Sequence, residues 1–259
     1  MTIANQKGGV GKTTTAVNLA AALALHGLRV LVIDLDPQGN ASTALAVAHQ
    51  AGIRSMYDVI VKNVPLTEVV VPAPDLPGLL CAPATIDLAG AEIELVSVVA
   101  REIRLRKALT AFLTTTDVDY VFIDCPPSLG LLTVNALVAA REVLIPVQCE
   151  YYALEGLSQL VQTIELVRAD LNPSLEISTL LLTMHDARTR LADAVADDVR
   201  SHFGDRVLPT IIPRSVRISE APGFGQSILT YDPGSRGAQA YTEAGAELTA
   251  RTALEAAHG

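Results

Sequence analysis

Hydrophobic positions along the chain fall into two alternating patterns. Runs in which nearly every residue is apolar, such as RVLVID (29–34) and EVLIPV (142–147), indicate strands buried on both faces. Longer stretches with helical character separate them, such as 13–27, whose last residue Gly27 is typical of a helix C-terminus. The alternation predicts an α/β fold with a doubly wound, mostly parallel sheet flanked by helices, in a single domain covering residues 1–259.

The elements predicted in this way span most of the sequence. The predicted strands are 2–5, 29–34, 79–83, 119–124, 142–147, 177–184 and 207–213. The predicted helices are 13–27, 101–113, 131–140, 153–171, 190–204 and 237–257. Five prolines interrupt the segment 50–100, for which we predict short helices and the single strand 79–83.

Composition narrows the class of protein. Half of the 259 residues are hydrophobic and only 4% are aromatic, which favours a core of Ala, Val, Leu and Ile. Every long apolar stretch contains a charged or turn residue, so no membrane span is expected. The net charge of −9 argues against binding nucleic acid through overall charge, although a local basic patch remains compatible with it. The glycine-rich loop described below begins close to Met1, so no signal peptide is expected.

Three cysteines bear on the cellular compartment and on metal binding. Cys81, Cys125 and Cys149 are widely separated and odd in number, which is typical of reduced thiols in a cytoplasmic protein. Neither a CxxC motif nor a cluster of Cys and His occurs, so a zinc-type site is not expected.

The decapeptide NQKGGVGKTT (5–14) resembles a phosphate-binding loop, with one departure. The usual pattern is Gly, four free residues and then Gly-Lys-Ser/Thr, but Gln6 stands in place of the first Gly and Lys7 follows it. The glycines allow backbone N–H groups to surround phosphate oxygens, Lys12 bridges the terminal phosphates, and Thr13 offers a hydroxyl to Mg²⁺. The residues expected to contact the nucleotide here are Lys7, Gly8, Gly9, Val10, Gly11, Lys12, Thr13 and Thr14.

Acidic residues end two of the predicted strands. Asp34 ends 29–34, Asp36 follows just beyond it, and Asp124 ends 119–124. The carboxyl ends of neighbouring parallel strands converge on the crevice where ligands bind. We therefore expect Asp124 to support Mg²⁺ together with Thr13. Asp36 lies one step further out and is expected to orient an attacking water, which makes Lys12 and Asp36 candidate catalytic residues.

Three segments, KGGVGKTT (7–14), DLDPQGNAS (34–42) and FIDCPPSLGLLTVNAL (122–137), resemble the ParA (Soj) partition ATPases of the MinD/ParA group, which carry a deviant Walker A loop. The likeness continues through IIPRSVRISEAPGFG (211–225) and covers nearly the whole chain. It implies an ATPase, weak alone, that uses ATP and Mg²⁺, forms a homodimer with ATP and binds double-stranded DNA without sequence preference. A ParB-like partner would stimulate hydrolysis in chromosome or plasmid segregation, by a cytoplasmic, nucleoid-associated protein.

The resemblance also implies roles for individual residues. Lys7 would reach across the dimer to the partner's nucleotide and act there as a third catalytic residue, which accounts for a second lysine in the loop. Pro213 and Arg214 would lie at the adenine, although Arg214 is equally compatible with DNA binding. The candidate DNA-binding residues are Arg188, Arg190, Arg217 and Arg236; spacing alone does not make these a patch, because acids are interleaved with them.

Related proteins suggest alternatives. MinD proteins bind lipid through a basic amphipathic C-terminal helix, but the tail ARTALEAAHG (250–259) has one arginine and no bulky aromatic residue, so we expect no membrane binding. An iron protein of the nitrogenase type needs exposed cysteines, whereas Cys125 follows a buried strand. No helix-turn-helix extension is evident, so operator-specific binding is not expected. A DNA-coating scaffold that binds ATP and barely hydrolyses it remains the non-enzymatic alternative.

Overall fold

The computed structural model describes residues 1–150 and 155–258. An eight-stranded sheet forms its centre. The strands are β1 (Thr2–Ile3), β2 (Val30–Asp34), β3 (Val71–Pro72), β4 (Leu79–Ala82), β5 (Tyr120–Asp124), β6 (Glu142–Gln148), β7 (Glu176–His185) and β8 (Val207–Pro213). Their order is β3-β4-β2-β5-β1-β6-β7-β8, and each neighbouring pair is parallel except β3–β4. The predicted fold class, a doubly wound and mostly parallel α/β sheet, is confirmed.

Helices cover both faces of the sheet. They are α1 (Lys12–Leu25), α2 (Asn40–Ala44), α3 (Met56–Lys62), α4 (Ala91–Glu94), α5 (Arg104–Leu113), α6 (Leu131–Ala139), α7 (Glu155–Asp170), α8 (Arg190–Phe203), α9 (Val216–Glu220), α10 (Ile228–Tyr231) and α11 (Arg236–His258). Short 3-10 turns lie between several of them, including Ile86–Gly90 and Leu95–Ser97 on either side of α4. As predicted, Gly27 follows α1 with a positive φ of 86°, a conformation in which glycine avoids the strain of a side chain.

Two hydrophobic clusters divide the core between the two faces. In β2, Val30 and Val32 pack with α1 and α11, whereas Leu31 and Ile33 pack with α5, α6 and α7. Successive residues of a strand point to opposite faces, so a strand covered on both sides must be apolar throughout. This explains why β2 and its neighbours read as continuous apolar runs in the sequence.

The structure corrects the prediction for the proline-rich segment. The segment 50–100 contains a second strand, β3, which pairs antiparallel with β4 and forms the edge of the sheet. Proline lacks an N–H donor and is therefore tolerated in an edge strand, where Pro72 lies. The short helices α2, α9 and α10 were not predicted either. For the helix predicted over 153–171, residues 153 and 154 lie outside the described residues, and α7 covers the rest up to Asp170.

Among the described helices, none combines the length and the apolar character that crossing a membrane requires.

Candidate functional site

The carboxyl ends of β1, β2 and β5 lie side by side. In the sheet register, Asp124 stands opposite both Ile3 and Asp34. Residues that follow these strands therefore meet at one edge, as the strand-end argument predicts. The glycine-rich loop leaves β1 at this edge and leads directly into α1.

Backbone conformation makes the loop a phosphate cradle. Gly9 and Gly11 have φ values of 75° and 90°, in the region that strains residues with side chains. Gly11 caps α1 without a side-chain hydrogen bond, so N–H groups of the first turn remain available to an anion. Val10 is buried, and its carbonyl accepts a hydrogen bond of 2.9 Å from the Thr183 hydroxyl on β7. This bond fixes the loop against the sheet.

Lys12 is a buried cation at the start of α1. Its Nζ donates to the backbone carbonyl of Lys7 at 3.4 Å. Burial lowers the pKa of Lys12, while the neighbouring Asp124, Cys125 and Asp36 act in the opposite direction. Burial outweighs the effect of these acidic neighbours, so an anionic ligand would stabilise the positive charge of Lys12.

Asp124 shows that the site fits a divalent cation. It is fully buried, and neither carboxylate oxygen has a hydrogen-bond partner in the described part of the protein. Burial raises the pKa of Asp124 well above its usual value, and the Asp34 carboxylate adds to the rise, whereas the Thr13 hydroxyl and Lys12 lower it. Unpartnered carboxylate oxygens next to a threonine hydroxyl are a donor set suited to Mg²⁺, which takes one or two protein ligands and completes its shell with water and phosphate.

Asp34 has a different role, because hydrogen bonds occupy both of its oxygens. One oxygen accepts from the Asp36 N–H at 3.1 Å, and the other accepts from the Ser42 N–H and hydroxyl at 2.9 and 2.7 Å. Burial raises the pKa of Asp34 to about 6, although these hydrogen bonds favour its charged form. Asp34 thereby holds the loop between β2 and α2 and places Asp36, which is itself buried, at the site.

The Lys7 side chain pairs with an acid outside its own loop. Its backbone N–H donates to the Asn5 side chain at 3.0 Å, and its Nζ lies 3.5 Å from a carboxylate oxygen of Glu150. The other oxygen of Glu150 lies 3.5 Å from Nη2 of Arg214 and accepts a 2.6 Å hydrogen bond from Gln148. Sequence reasoning missed Glu150, although its position two residues after β6 could have marked it as another strand-end acid.

Two cavities are lined by most of the residues predicted for the nucleotide site, but not by Lys7, Val10 or Asp124. The first, of about 460 Å³, is lined by Gly8, Gly9, Gly11, Lys12, Thr13, Thr14 and Asp36 among the predicted residues. The second, of about 200 Å³, brings Gly11 and Thr14 together with Pro213 and Arg214. Sequence reasoning missed further lining residues, namely Gln38, Asn40, Pro127, Met184, Ile218, Ser219 and Pro222. All but Met184 lie in the segments 34–42, 122–137 and 211–225 that carry the family resemblance, but the chemistry of their side chains does not mark them individually.

The four candidate DNA-binding arginines lie on separate elements. All are exposed: Arg188 precedes α8, Arg190 begins α8, Arg217 lies on α9, and Arg236 begins α11. Arg188 makes a two-pronged ion pair with Asp186, with distances of 2.8 and 2.7 Å. Arg217 lies 3.4 Å from Glu220 and 3.8 Å from Asp232. Carboxylates thus neutralise Arg188 and Arg217 in this structure.

The cysteines are buried, with Cys125 only 1% exposed. Burial raises the pKa of Cys149 to about 11, and it also raises the pKa values of Cys81 and Cys125. Residues in this state are unsuited to holding a cluster at a subunit surface. The described residues also contain no group of three or more His, Cys, Asp or Glu side chains that could hold a metal on their own.

Comparison with known proteins identifies the family. Residues 1–177 match the family described as "AAA domain". The chain is 53% identical to the chromosome partitioning protein ParA of Caulobacter vibrioides over 97% of its length and 94% of that protein. It is also 53% identical to the sporulation initiation inhibitor protein Soj of Bacillus subtilis, over 96% and 97% of the two chains.

A solved structure adds evidence on the nucleotide. One similar structure is that of the cobyrinic acid a,c-diamide synthase of Mycobacterium smegmatis with bound ATP analogue and magnesium. The two sequences are 39% identical, the match covers 91% of this chain and 96% of the synthase chain, and the TM-score is 0.76. The identity to the partition proteins is higher and extends over more of the chain. The chain therefore belongs to the ParA/Soj family of chromosome-partitioning proteins.

Proposed function

We propose that this protein is a partition ATPase that binds ATP with Mg²⁺ and hydrolyses it. In this proposal ATP drives formation of a homodimer, the dimer binds double-stranded DNA without sequence preference, and a ParB-like partner stimulates an otherwise weak hydrolysis. The protein would act in the cytoplasm, associated with the nucleoid. One observation supports the proposed ATP hydrolysis above all others: the carboxylate of Asp124 is buried and unpartnered, and it lies beside Lys12. Lys12 begins the helix that follows the glycine cradle.

The residues of the loop bind and orient the nucleotide. N–H groups around Gly9 and Gly11 and the positive end of α1 attract the phosphates, and Lys12 adds a full positive charge. Pro213 and Arg214 line the smaller cavity, where the base would lie. Thr13 and Asp124 would hold Mg²⁺, which when bound neutralises negative charge on the phosphate oxygens.

Asp36 is proposed to orient water. It lines the same cavity as Lys12 and Thr13, and a hydrogen bond from Gln38 N–H to its carboxylate, at 3.0 Å, fixes its orientation. Asp34 holds the backbone of the same loop. A carboxylate fixed in this way can align a water molecule for in-line attack while contributing little to nucleotide affinity.

Lys7 is proposed to act on the nucleotide of a second copy. Its ammonium group lies 3.5 Å from a carboxylate oxygen of Glu150, and Lys7 lines neither of the two cavities described above. A cation supplied by the partner subunit would neutralise charge that develops during phosphoryl transfer, as an arginine finger does. In this proposal Lys7 must leave Glu150 when the dimer forms.

A sharp test is Lys7→Ala. We expect ATP binding by the monomer to remain close to wild type, measured by titration with a fluorescent ATP analogue. ATP-dependent dimerisation, measured by light scattering, and hydrolysis should both be lost. Lys62→Ala is the matched control, because Lys62 is also an exposed lysine paired with a carboxylate, Asp58 at 2.9 Å. A Lys7→Ala protein that dimerises and hydrolyses ATP normally would refute the role in trans.

A scaffold that binds ATP without hydrolysing it is the alternative function. Phosphate release measured with DNA and the ParB-like protein present separates the two, because only the ATPase should show stimulated turnover. The activity named for the M. smegmatis structure is not proposed for this chain, since its relatives at higher identity are partition proteins.

A further inference from the structure

A helical segment between β4 and α5 has two apolar faces, one packed against the core and one exposed to solvent. It runs without interruption from Ile86 to Ser97 through a 3-10 turn, α4 and a second 3-10 turn. Leu88, Ala91 and Leu95 are completely buried and attach the segment to the core. A surface helix ordinarily presents mainly polar residues on its opposite side, whereas large apolar side chains occupy much of the exposed side of this segment.

Its outer face carries an exposed apolar stripe, which we define as Ile86, Ala89, Ile93 and Val96. Ile86, Ile93 and Val96 are 65%, 78% and 67% exposed, and Ala89 is exposed as well. Spacings of three, four and three residues place all four on one side of a helix. Val99, 90% exposed, follows directly. Single exposed hydrophobic residues are ordinary, but several on one face of one element mark an interaction surface.

The charge around the stripe indicates what kind of partner it fits. The segment 86–97 contains three carboxylates, Asp87, Glu92 and Glu94, and no Lys, Arg or His. Two cations lie nearby, and both are paired: Arg101, which also donates to the Val96 carbonyl at 2.6 Å, pairs with Glu102 at 3.1 Å, and Lys62 pairs with Asp58 at 2.9 Å. A second copy docked by two-fold symmetry would place like charges opposite each other, whereas a basic segment would meet complementary charge.

We propose that the exposed stripe binds an amphipathic segment of a second protein, with apolar side chains flanked by lysine or arginine. Assigning that segment to the ParB-like partner rests on the proposed function. The apolar side chains would cover Ile93 and Val96, and the basic groups would meet Asp87 and Glu94 at the margin. Binding should therefore weaken with salt and also depend on apolar contact.

The structure contains a physical connection from the stripe to the nucleotide site. The Glu92 carboxylate, on the same segment, accepts a hydrogen bond from the Leu132 N–H at 3.4 Å, at the start of α6. It packs so closely that a Cβ added at Gly130 would lie 2.1 Å from it. The loop 125–130 joins this point to Asp124, and its Pro127 lines the 460 Å³ cavity. Movement of the segment would therefore reach the loop beside the site.

The experiment uses the full chain and the ParB-like protein of the same organism. In the double variant Ile93→Asp/Val96→Asp, partner binding measured by interferometry should weaken by about tenfold or more. Partner-stimulated phosphate release should fall to the unstimulated level, while basal turnover, DNA binding and ATP-dependent dimerisation stay unchanged. Leu166→Asp is the matched control, because Leu166 is 66% exposed on α7, away from this segment. Glu92→Gln should retain partner binding but reduce the stimulation.

The outcomes separate this inference from the proposed function. If the partner binds and stimulates the double variant as it does the wild type, the stripe is not its docking surface, and the proposed function stands. If the double variant loses ATP-dependent dimerisation with an unchanged melting temperature, a second copy covers the stripe and the inference is wrong. If the wild type itself shows neither binding nor stimulation, the proposed partner is wrong, and this inference falls with it.

Discussion

Asp36 shows how much depends on the placement of a single side chain. Its own loop, held by Asp34 and Ser42, buries it at the edge of the nucleotide cavity. Because Thr13 and Asp124 are the expected metal supports, the loss of Asp36 should leave nucleotide binding intact.

Asp36→Ala should reduce hydrolysis by about 100-fold or more, because it removes the group expected to orient water. The ATP dimer should still form and should remain on DNA, where a ParB-like partner no longer releases it. Phosphate release and DNA residence time measure both effects. Hydrolysis near the wild-type rate would remove Asp36 from the mechanism, and a variant that never dimerises would make its loop part of the dimer contact. Asp117→Ala, at an exposed aspartate that lines neither cavity and lies outside the segment 86–97, serves as control.

Glu150 offers a second residue-scale prediction. The one carboxylate faces both Lys7 and Arg214, at 3.5 Å each. Exposed ion pairs contribute up to about 1 kcal/mol, so releasing Lys7 carries a small cost. Glu150→Gln keeps a side-chain oxygen that can accept the hydrogen bond from Gln148 but removes the negative charge that holds Lys7. Because Lys7 is then free to reach the partner subunit, the protein concentration at which half of the chains are dimeric should fall by roughly two- to fivefold. Analytical ultracentrifugation with ATP and Mg²⁺ measures it. A variant that dimerises more weakly would mean that Glu150 supports the dimer instead.

At the scale of elements, strand positions could be predicted from the sequence and the smallest elements could not. β2, β5 and β6 are covered on both faces, so their apolar runs stand out, and Asp34 and Asp124 at their ends could be placed at one edge. In contrast, α2 has five residues and depends on the hydrogen bonds from Ser42 to Asp34, a tertiary contact that leaves no periodicity. The contact of Lys7 with Glu150 joins two loops 143 positions apart, and only the sheet order brings them together.

The β7–α8 connection carries a prediction about DNA binding. The Arg188 guanidinium holds the pKa of Asp186 far below its usual value, so the pair persists at neutral and mildly acidic pH. Asp186→Asn should free Arg188 and strengthen DNA binding by the ATP state severalfold at low salt. Arg188→Ala should weaken binding and reduce the slope of log affinity against log salt by about one. Titrations of unrelated duplexes at several salt concentrations measure both.

Arg168→Ala provides the control for that experiment, because Arg168 is an exposed arginine paired with Glu165 at 3.3 Å on α7. It should leave DNA affinity unchanged. If Asp186→Asn has no effect and Arg188→Ala behaves as the control does, the β7–α8 connection does not contact DNA.

At the scale of the whole molecule, the nucleotide site links elements that are distant in sequence. Its lining comes from the loop before α1, the loop after β2, the loop after β5 and the region around α9, so a ligand there contacts both halves of the chain. The loop is also fixed to β7 through Val10 and Thr183, and α1 packs against α11. Binding should therefore stabilise the fold as a unit.

ATP with Mg²⁺ should raise the melting temperature of the protein. A ligand at 100 times its dissociation constant adds about 2.7 kcal/mol to the free energy of unfolding. For a chain of this size that corresponds to a rise of about 5–10 °C. Lys12→Ala should abolish the rise in melting temperature, because it removes the buried cation expected to face the phosphates. Lys7→Ala should keep that part of the rise which comes from ATP binding to the monomer. Differential scanning fluorimetry at low protein concentration, with ADP as a second ligand, separates binding from dimerisation. An unchanged rise in Lys12→Ala would place the nucleotide outside this loop.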